Sequence, residues 1–130
     1  MTMDESTLHQ MVTNMIVEFS DEALVGDKYA WGQRYGGPKI NKLVGEFKEE
    51  LSKKREVEHV IPIRMTQNTV FDYYPKERTI ITMEETIITH RDGGSKLYEK
   101  GSPVNLPAKP PKISAPNGKK FVNMVLVVWK

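Results

Sequence analysis

Residues 28–39, Lys-Tyr-Ala-Trp-Gly-Gln-Arg-Tyr-Gly-Gly-Pro-Lys, hold the side chains best suited to contact chemistry in this chain of 130 residues. Three aromatics, Tyr29, Trp31 and Tyr35, alternate with glycines and with the cations Lys28, Arg34 and Lys39. Flat π-faces stack on planar groups and cations meet phosphates, so the segment has the ingredients of a stacking platform. Gly36-Gly37, just ahead of a helix start, could also offer backbone N–H groups to an anion. The phosphate-cradling pattern G-x-x-x-x-G-K-[ST] does not occur. The competing use of the same residues is structural: Trp31 and a tyrosine fold back and plug the core between helices and sheet.

A second candidate is Leu106-Pro-Ala-Lys-Pro110-Pro-Lys112, which fits P-x-x-P-x-K. Polyproline-reading grooves take such segments. Pro107, Pro110 and Lys112 would make the contacts, although a plain rigid connector satisfies the same short pattern.

Catalytic chemistry is harder to assemble. His90-Arg91-Asp92 matches a kinase catalytic-loop triplet, but the glycine-rich loop, the strand lysine and D-F-G are absent, and Asp92-Gly93 reads as a turn. His9, His59 and His90 lack metal-ligand spacing. His59 falls on the apolar face of its segment, as a hydrogen-bonded core histidine would. There is no cysteine, which excludes a disulfide framework, a thiolate zinc site and a thiol nucleophile. If residues 78–90 run as one straight strand, Glu85 shares a face with Ile81, Met83 and Ile87. A carboxylate there is costly unless paired. Either a bulge turns it outward or a base such as Arg64 meets it. Only in the second case would it become an acid–base candidate alongside His59 or His90. No catalytic residue, metal ligand or cofactor is assigned.

The net charge of +2 conceals a polarity. Residues 1–30 carry six acids and one base, and residues 101–130 carry five lysines and no acid. Opposite ends of opposite sign could steer self-association or dock different partners, or both could be solvated. The start of the chain is acidic, and no apolar stretch reads as a signal peptide or membrane span. The expectation is a cytoplasmic protein with no membrane contact.

The elements that would position these residues follow from periodicity. Leu8, Met11, Val12, Met15, Ile16 and Phe19 form one face of a predicted helix over 4–19. After a short turn at 20–27, Pro38 presets a second helix over 38–55, with Ile40, Leu43, Val44, Phe47 and Leu51 inward. From Val57 the period becomes two. Pro62 marks the strand over 57–65 as an edge strand or a bulged one. Thr69–Tyr74 is a second strand, joined through a loop at Pro75 to one long strand over 78–90. Asp92-Gly93-Gly94 closes a hairpin onto Lys96–Lys100. Residues 101–116, with five of the eight prolines, read as an extended polyproline-like connection. Asn117-Gly118 turns the chain into Phe121–Lys130, the one long apolar run, which reads as a central strand buried on both faces.

The sequence therefore predicts a single α+β domain. A helical part (1–56) packs on one face of an antiparallel sheet of about five strands (57–130), with the last strand central. The functional expectation is a non-catalytic protein-binding or assembly module, with a protein partner or self-association. The alternatives are a single-stranded nucleic-acid binder using the aromatic and basic segment, and a small enzyme with a carboxylate and histidine site.

Overall fold

The computed structural model describes residues 5–66, 69–70, 75–90, 93–107 and 109–130. It is a mixed α+β fold with two α-helices and two antiparallel sheets, of six and four strands. The first sheet has the order β1-β2-β3-β10-β5-β8, with β1 Leu24–Tyr29, β2 Gly32–Tyr35, β3 Val57–Thr66, β10 Phe121–Trp129, β5 Arg78–Thr82 and β8 Pro103–Leu106. The second has the order β4-β9-β6-β7, with β4 Thr69–Val70, β9 Lys112–Ser114, β6 Thr86–His90 and β7 Gly94–Tyr98.

The predicted central strand is central. β10 pairs antiparallel with β3 on one side and β5 on the other. Alternation gives it two apolar faces, and each fills a different core. Val122, Met124, Leu126 and Val128 join Ile63, Met65 and Ile80 against Ile88 and Ile113 of the second sheet. Val125 and Val127 turn the other way, with Ile81, Met83 and Val60, toward the helices. The molecule thus has three layers: helices, six-stranded sheet, four-stranded sheet.

Helix α1 (Glu5–Ile16) buries Leu8, Val12 and Met15, and α2 (Pro38–Ser52) buries Ile40, Phe47 and Leu51. These are the predicted faces. Gly37 caps α2 with Pro38 in the first turn.

The single sheet of about five strands is the expectation that changes. Residues 78–90 are two strands in different sheets, and Met83–Glu85 carries the chain between them. Thr86 Oγ1 donates to Glu84 O in this crossing. The two Thr-Ile-Ile-Thr sequences at 79–82 and 86–89 therefore lie in different sheets. The crossing turns Glu85 out to solvent, which removes the predicted cost of burying it. β4 pairs with β9 and not with the strand after Pro75. The part of the predicted strand beyond Val70, and residues 67–68, where the sequence Gln-Asn suggests a turn, fall outside the described residues. The proline-rich connection contains strands β8 and β9 and is therefore part of both sheets.

Two further corrections concern edges. Of the two alternatives for β3 the edge strand fails, since β3 lies between β2 and β10, and the bulged strand holds, with a register shift against β10 between Val57 and His59. Its ladder with β2 ends at Arg34↔Ile63, one residue short of Pro62, so the missing N–H falls where β2 no longer pairs. Residues 24–35, expected as a turn and a surface loop, form the β1–β2 hairpin that extends the sheet past β3.

Candidate functional site

The aromatic segment is shaped by a bulge. Val25 pairs with Arg34 and Tyr29 with Gly32, so β1 sets residues 26–28 against Gln33 alone. Such an insertion bends a strand and re-aims its side chains. Gln33 Nε2 donates to Gly26 O across the irregularity. The tip is fastened to the sheet by Thr66 N–H donating to Trp31 O at 2.8 Å. Gly32 is required here: a Cβ would lie 1.9 Å from the carbonyl oxygen of Arg64.

On this frame Tyr29 stacks on Trp31, with ring centroids 5.4 Å apart and planes 11° from parallel. Trp31 is half-buried and packs against the core between the sheets. Tyr29 remains 51% exposed. The plug and platform readings of the sequence thus divide between two residues: Trp31 is anchored from below, and it holds a tyrosine ring at the surface. Lys28, Arg34 and Lys39 are exposed, Lys39 in the first turn of α2.

Tyr35 is separated from this pair. It lies on the helix side of the sheet, 4% exposed, with Phe19 stacked on its ring at 4.1 Å. Its hydroxyl donates to Asn123 Oδ1 at 2.5 Å and accepts from Arg64 Nε at 2.9 Å. Arg64 Nη2 reaches Asp21 Oδ1 at 2.6 Å, and the guanidinium also lies 5.2 Å from the Phe121 ring. Glu84 accepts from the backbone N–H of Asn123 at 2.8 Å and from Lys119 at 3.3 Å. Burial lifts the Tyr35 hydroxyl above its ordinary value of 10.0, against the opposing pull of Arg64.

This network was not read from the sequence. The available signals were Arg64, opposite in phase to Ile61, Ile63 and Met65, and Asn123, the lone polar residue inside an apolar strand. Arg64 does meet a carboxylate, but it is Asp21 rather than Glu85.

In the proline-rich segment Pro107 and Lys112 are exposed, while Pro110 and Pro111 are buried. His59 is on the predicted face of β3 but at its open end, with its side chain 59% exposed, so it is not a core histidine. It shares a cross-strand row with Val128 and Arg78, whereas Glu85 follows Thr82 at the other end of β5. His90 Nε2 lies 2.8 Å from Tyr98 Oη at the far end of β6 from Glu85. The strands therefore hold these histidines and Glu85 apart. Among the described residues no group of three or more His, Asp or Glu side chains is arranged to hold a metal ion, and no helix is long and apolar enough to cross a membrane.

No protein-family model matches the chain, and no curated protein matches it. Solved structures with partial likeness include a Neisseria meningitidis protein, NMB1881, at 12% identity and a TM-score of 0.41, covering 58% of this chain and 82% of that one. The Clostridium difficile EutQ protein is 20% identical with a TM-score of 0.38, covering 54% of each chain. Hydroxypropylphosphonic acid epoxidase from S. wedmorenis is 10% identical with a TM-score of 0.43, covering 85% of this chain and 57% of that one. The chain thus spans little more than half the length of EutQ and of the epoxidase. Likenesses of this size transfer no activity or ligand.

Proposed function

We propose that this chain is a non-catalytic binding module and that the Tyr29–Trp31 pair on the β1–β2 hairpin is its main contact for a protein partner. The observation that carries this reading is the stacked geometry: an exposed tyrosine ring lies flat on a tryptophan that is itself packed into the core. A ring held in this way loses little further freedom on binding, and tyrosine and tryptophan are the residues that most often dominate protein contacts. Ile63, Ile80, Ile88, Ile113, Met65 and Met124, none more than 1% exposed, fill the space between the sheets, so the reading places the contact on the outside of the molecule.

The alternative is single-stranded nucleic acid, favoured by the exposed cations Lys28 and Arg34 in the same hairpin. The test compares wild type, Tyr29→Ala and Val70→Ala, the last an exposed apolar residue in the other sheet. Each is immobilised and used to capture proteins from extract, then titrated with a labelled oligothymidylate at low and moderate salt. The protein-partner reading expects a captured protein that is lost with Tyr29→Ala and kept with Val70→Ala. Nucleic-acid binding would instead appear as oligonucleotide affinity that drops steeply with salt. Identical capture by wild type and Tyr29→Ala, with no oligonucleotide binding, would remove the hairpin as the site.

A further inference from the structure

The two sheets have four edge strands, β1, β8, β4 and β7. Exposed edges invite pairing with other chains, and proteins blunt them with bulges, prolines or short strands. β1 carries the three-against-one bulge and β8 begins on Pro103. β7 has no bulge, no proline and five residues, and its one edge charge is Lys96, paired with Ile88. It makes an unbroken ladder of five pairs with β6, from Thr86↔Tyr98 to His90↔Gly94, and no strand lies on its other side among the described residues. Four of its five residues are exposed, and Leu97 is 50% exposed opposite the half-buried Ile87, on the face of the sheet turned away from the core between the sheets.

We infer that β7 pairs antiparallel with β7 of a second copy about a two-fold axis at Leu97, joining the two four-stranded sheets into one of eight strands. Chain chemistry favours this register for self-pairing. Paired residues in an antiparallel ladder share a face, so a two-fold axis passes through a single residue position. An axis at Lys96 sets two ammonium groups opposite each other, and an axis at Tyr98 sets Lys96 against Lys100 of the second copy. Both arrangements are repulsive, and an axis at Ser95 sets Lys96 against a glycine and leaves Leu97 without an apolar partner. With the axis at Leu97, the two Leu97 side chains meet on the outer face. Lys96 lies opposite Tyr98 of the second copy on the other face, and Ser95 lies opposite Glu99. No like charges meet. The lysine is already suited to the role, since Lys96 Nζ sits 5.1 Å from the centroid of its own Tyr98 ring. The contact stands without the hairpin reading, because it uses a different strand of a different sheet.

The absence of native cysteine permits a register-specific test. Leu97→Cys, Ser95→Cys and Val17→Cys are oxidised separately, Val17 being exposed and outside both sheets. Wild type is examined in parallel by sedimentation across a concentration series. The expected result is a reversible dimer of wild type, its loss in Leu97→Lys, and rapid cross-linking of Leu97→Cys alone. Directly opposed residues have Cβ atoms about 4.5–5.5 Å apart, within reach of a disulfide after small adjustment. Ser95→Cys should cross-link no faster than Val17→Cys. A wild type that stays monomeric throughout, equal rates for Leu97→Cys and Val17→Cys, or faster linking of Ser95→Cys overturns the proposal. A Tyr29→Ala variant that still dimerises separates this contact from the hairpin.

Discussion

The Tyr35 hydroxyl links three parts of the chain through one oxygen: it donates to Asn123 of β10 and accepts from Arg64 of β3, while its own residue closes β2. Tyr35→Phe keeps the ring against Phe19 but leaves the Asn123 carbonyl and Arg64 Nε each short of a partner. Leaving these half-buried polar groups unmatched should cost about 1 kcal/mol, the low end of the penalty for a fully buried group, read as a lower urea midpoint. Alkaline titration gives an independent check. Because burial raises the Tyr35 value in the folded state above 10.0, the unfolded chain loses this proton first. The associated stability is complete below about pH 10 and falls as pH rises through the folded value. Tyr35→Phe should flatten this alkaline loss. If the urea midpoint of wild type and variant fall in parallel above that pH, the hydroxyl is not the source. At the acid end, hydrogen bonds from Lys76 and Arg55 hold Glu58 and Glu77 below 4.5. Any stability from them is present at neutral pH and lost as pH falls through the lowered values. Glu77 is exposed and Glu58 partly so, and salt should weaken the effect.

At the level of elements, the β1–β2 hairpin depends on one glycine. Its backbone runs so close to β3 that any side chain at Gly32 would occupy the Arg64 carbonyl. Gly32→Ala should therefore detach the hairpin tip or cost about 3 kcal/mol, the upper end of ordinary substitutions. It should also abolish the Tyr29 stacking, and quenching of Trp31 fluorescence in a Trp129→Phe background reports that loss. Phe47→Ala probes the helix layer: Phe47 is 0% exposed, and its removal should cost about 3–5 kcal/mol in thermal or urea unfolding. The helices and β10 were legible because their apolar residues repeat at 3.6 and 2, and burial on those faces outweighs local detail. The second sheet was not. Glu84-Glu85 carries no turn residue, so nothing local signals that the chain changes sheets between Thr82 and Thr86. The hairpin at 24–35 was missed because its pairing is irregular and β1 is exposed along most of its length, which removes the alternation that marks a strand. The candidate contact was half legible. Tyr29 and Trp31 do meet, but Tyr35 faces the opposite, buried side because the hairpin sets Tyr29 against Gly32, three residues before Tyr35 on a regular strand, and the sequence does not announce where that hairpin turns.

For the whole molecule, the decisive fact is that both apolar cores close on the same strand. Even-numbered side chains from Val122 to Val128 fill the space between the sheets, and Val125 and Val127 fill the space beneath the helices. Neither core can form without β10 in place between β3 and β5, so the helix layer and the second sheet should unfold together despite having few elements in common. Circular dichroism of the helices and fluorescence of Trp31 should give coincident urea transitions. Native-state hydrogen exchange should then show a gradient. The slowest amides lie in β10 and in the central parts of β3 and β5, with protection equal to the global unfolding free energy. Amides at the exposed stretch of β1 should exchange by local opening well below that value, because the bulge leaves residues 26–28 without a regular ladder. Two separated transitions, or β10 amides exchanging faster than those of β6 and β9, would show that the cores are independent. The last strand would then be an addition to a structure that already stands, rather than the element on which both layers close.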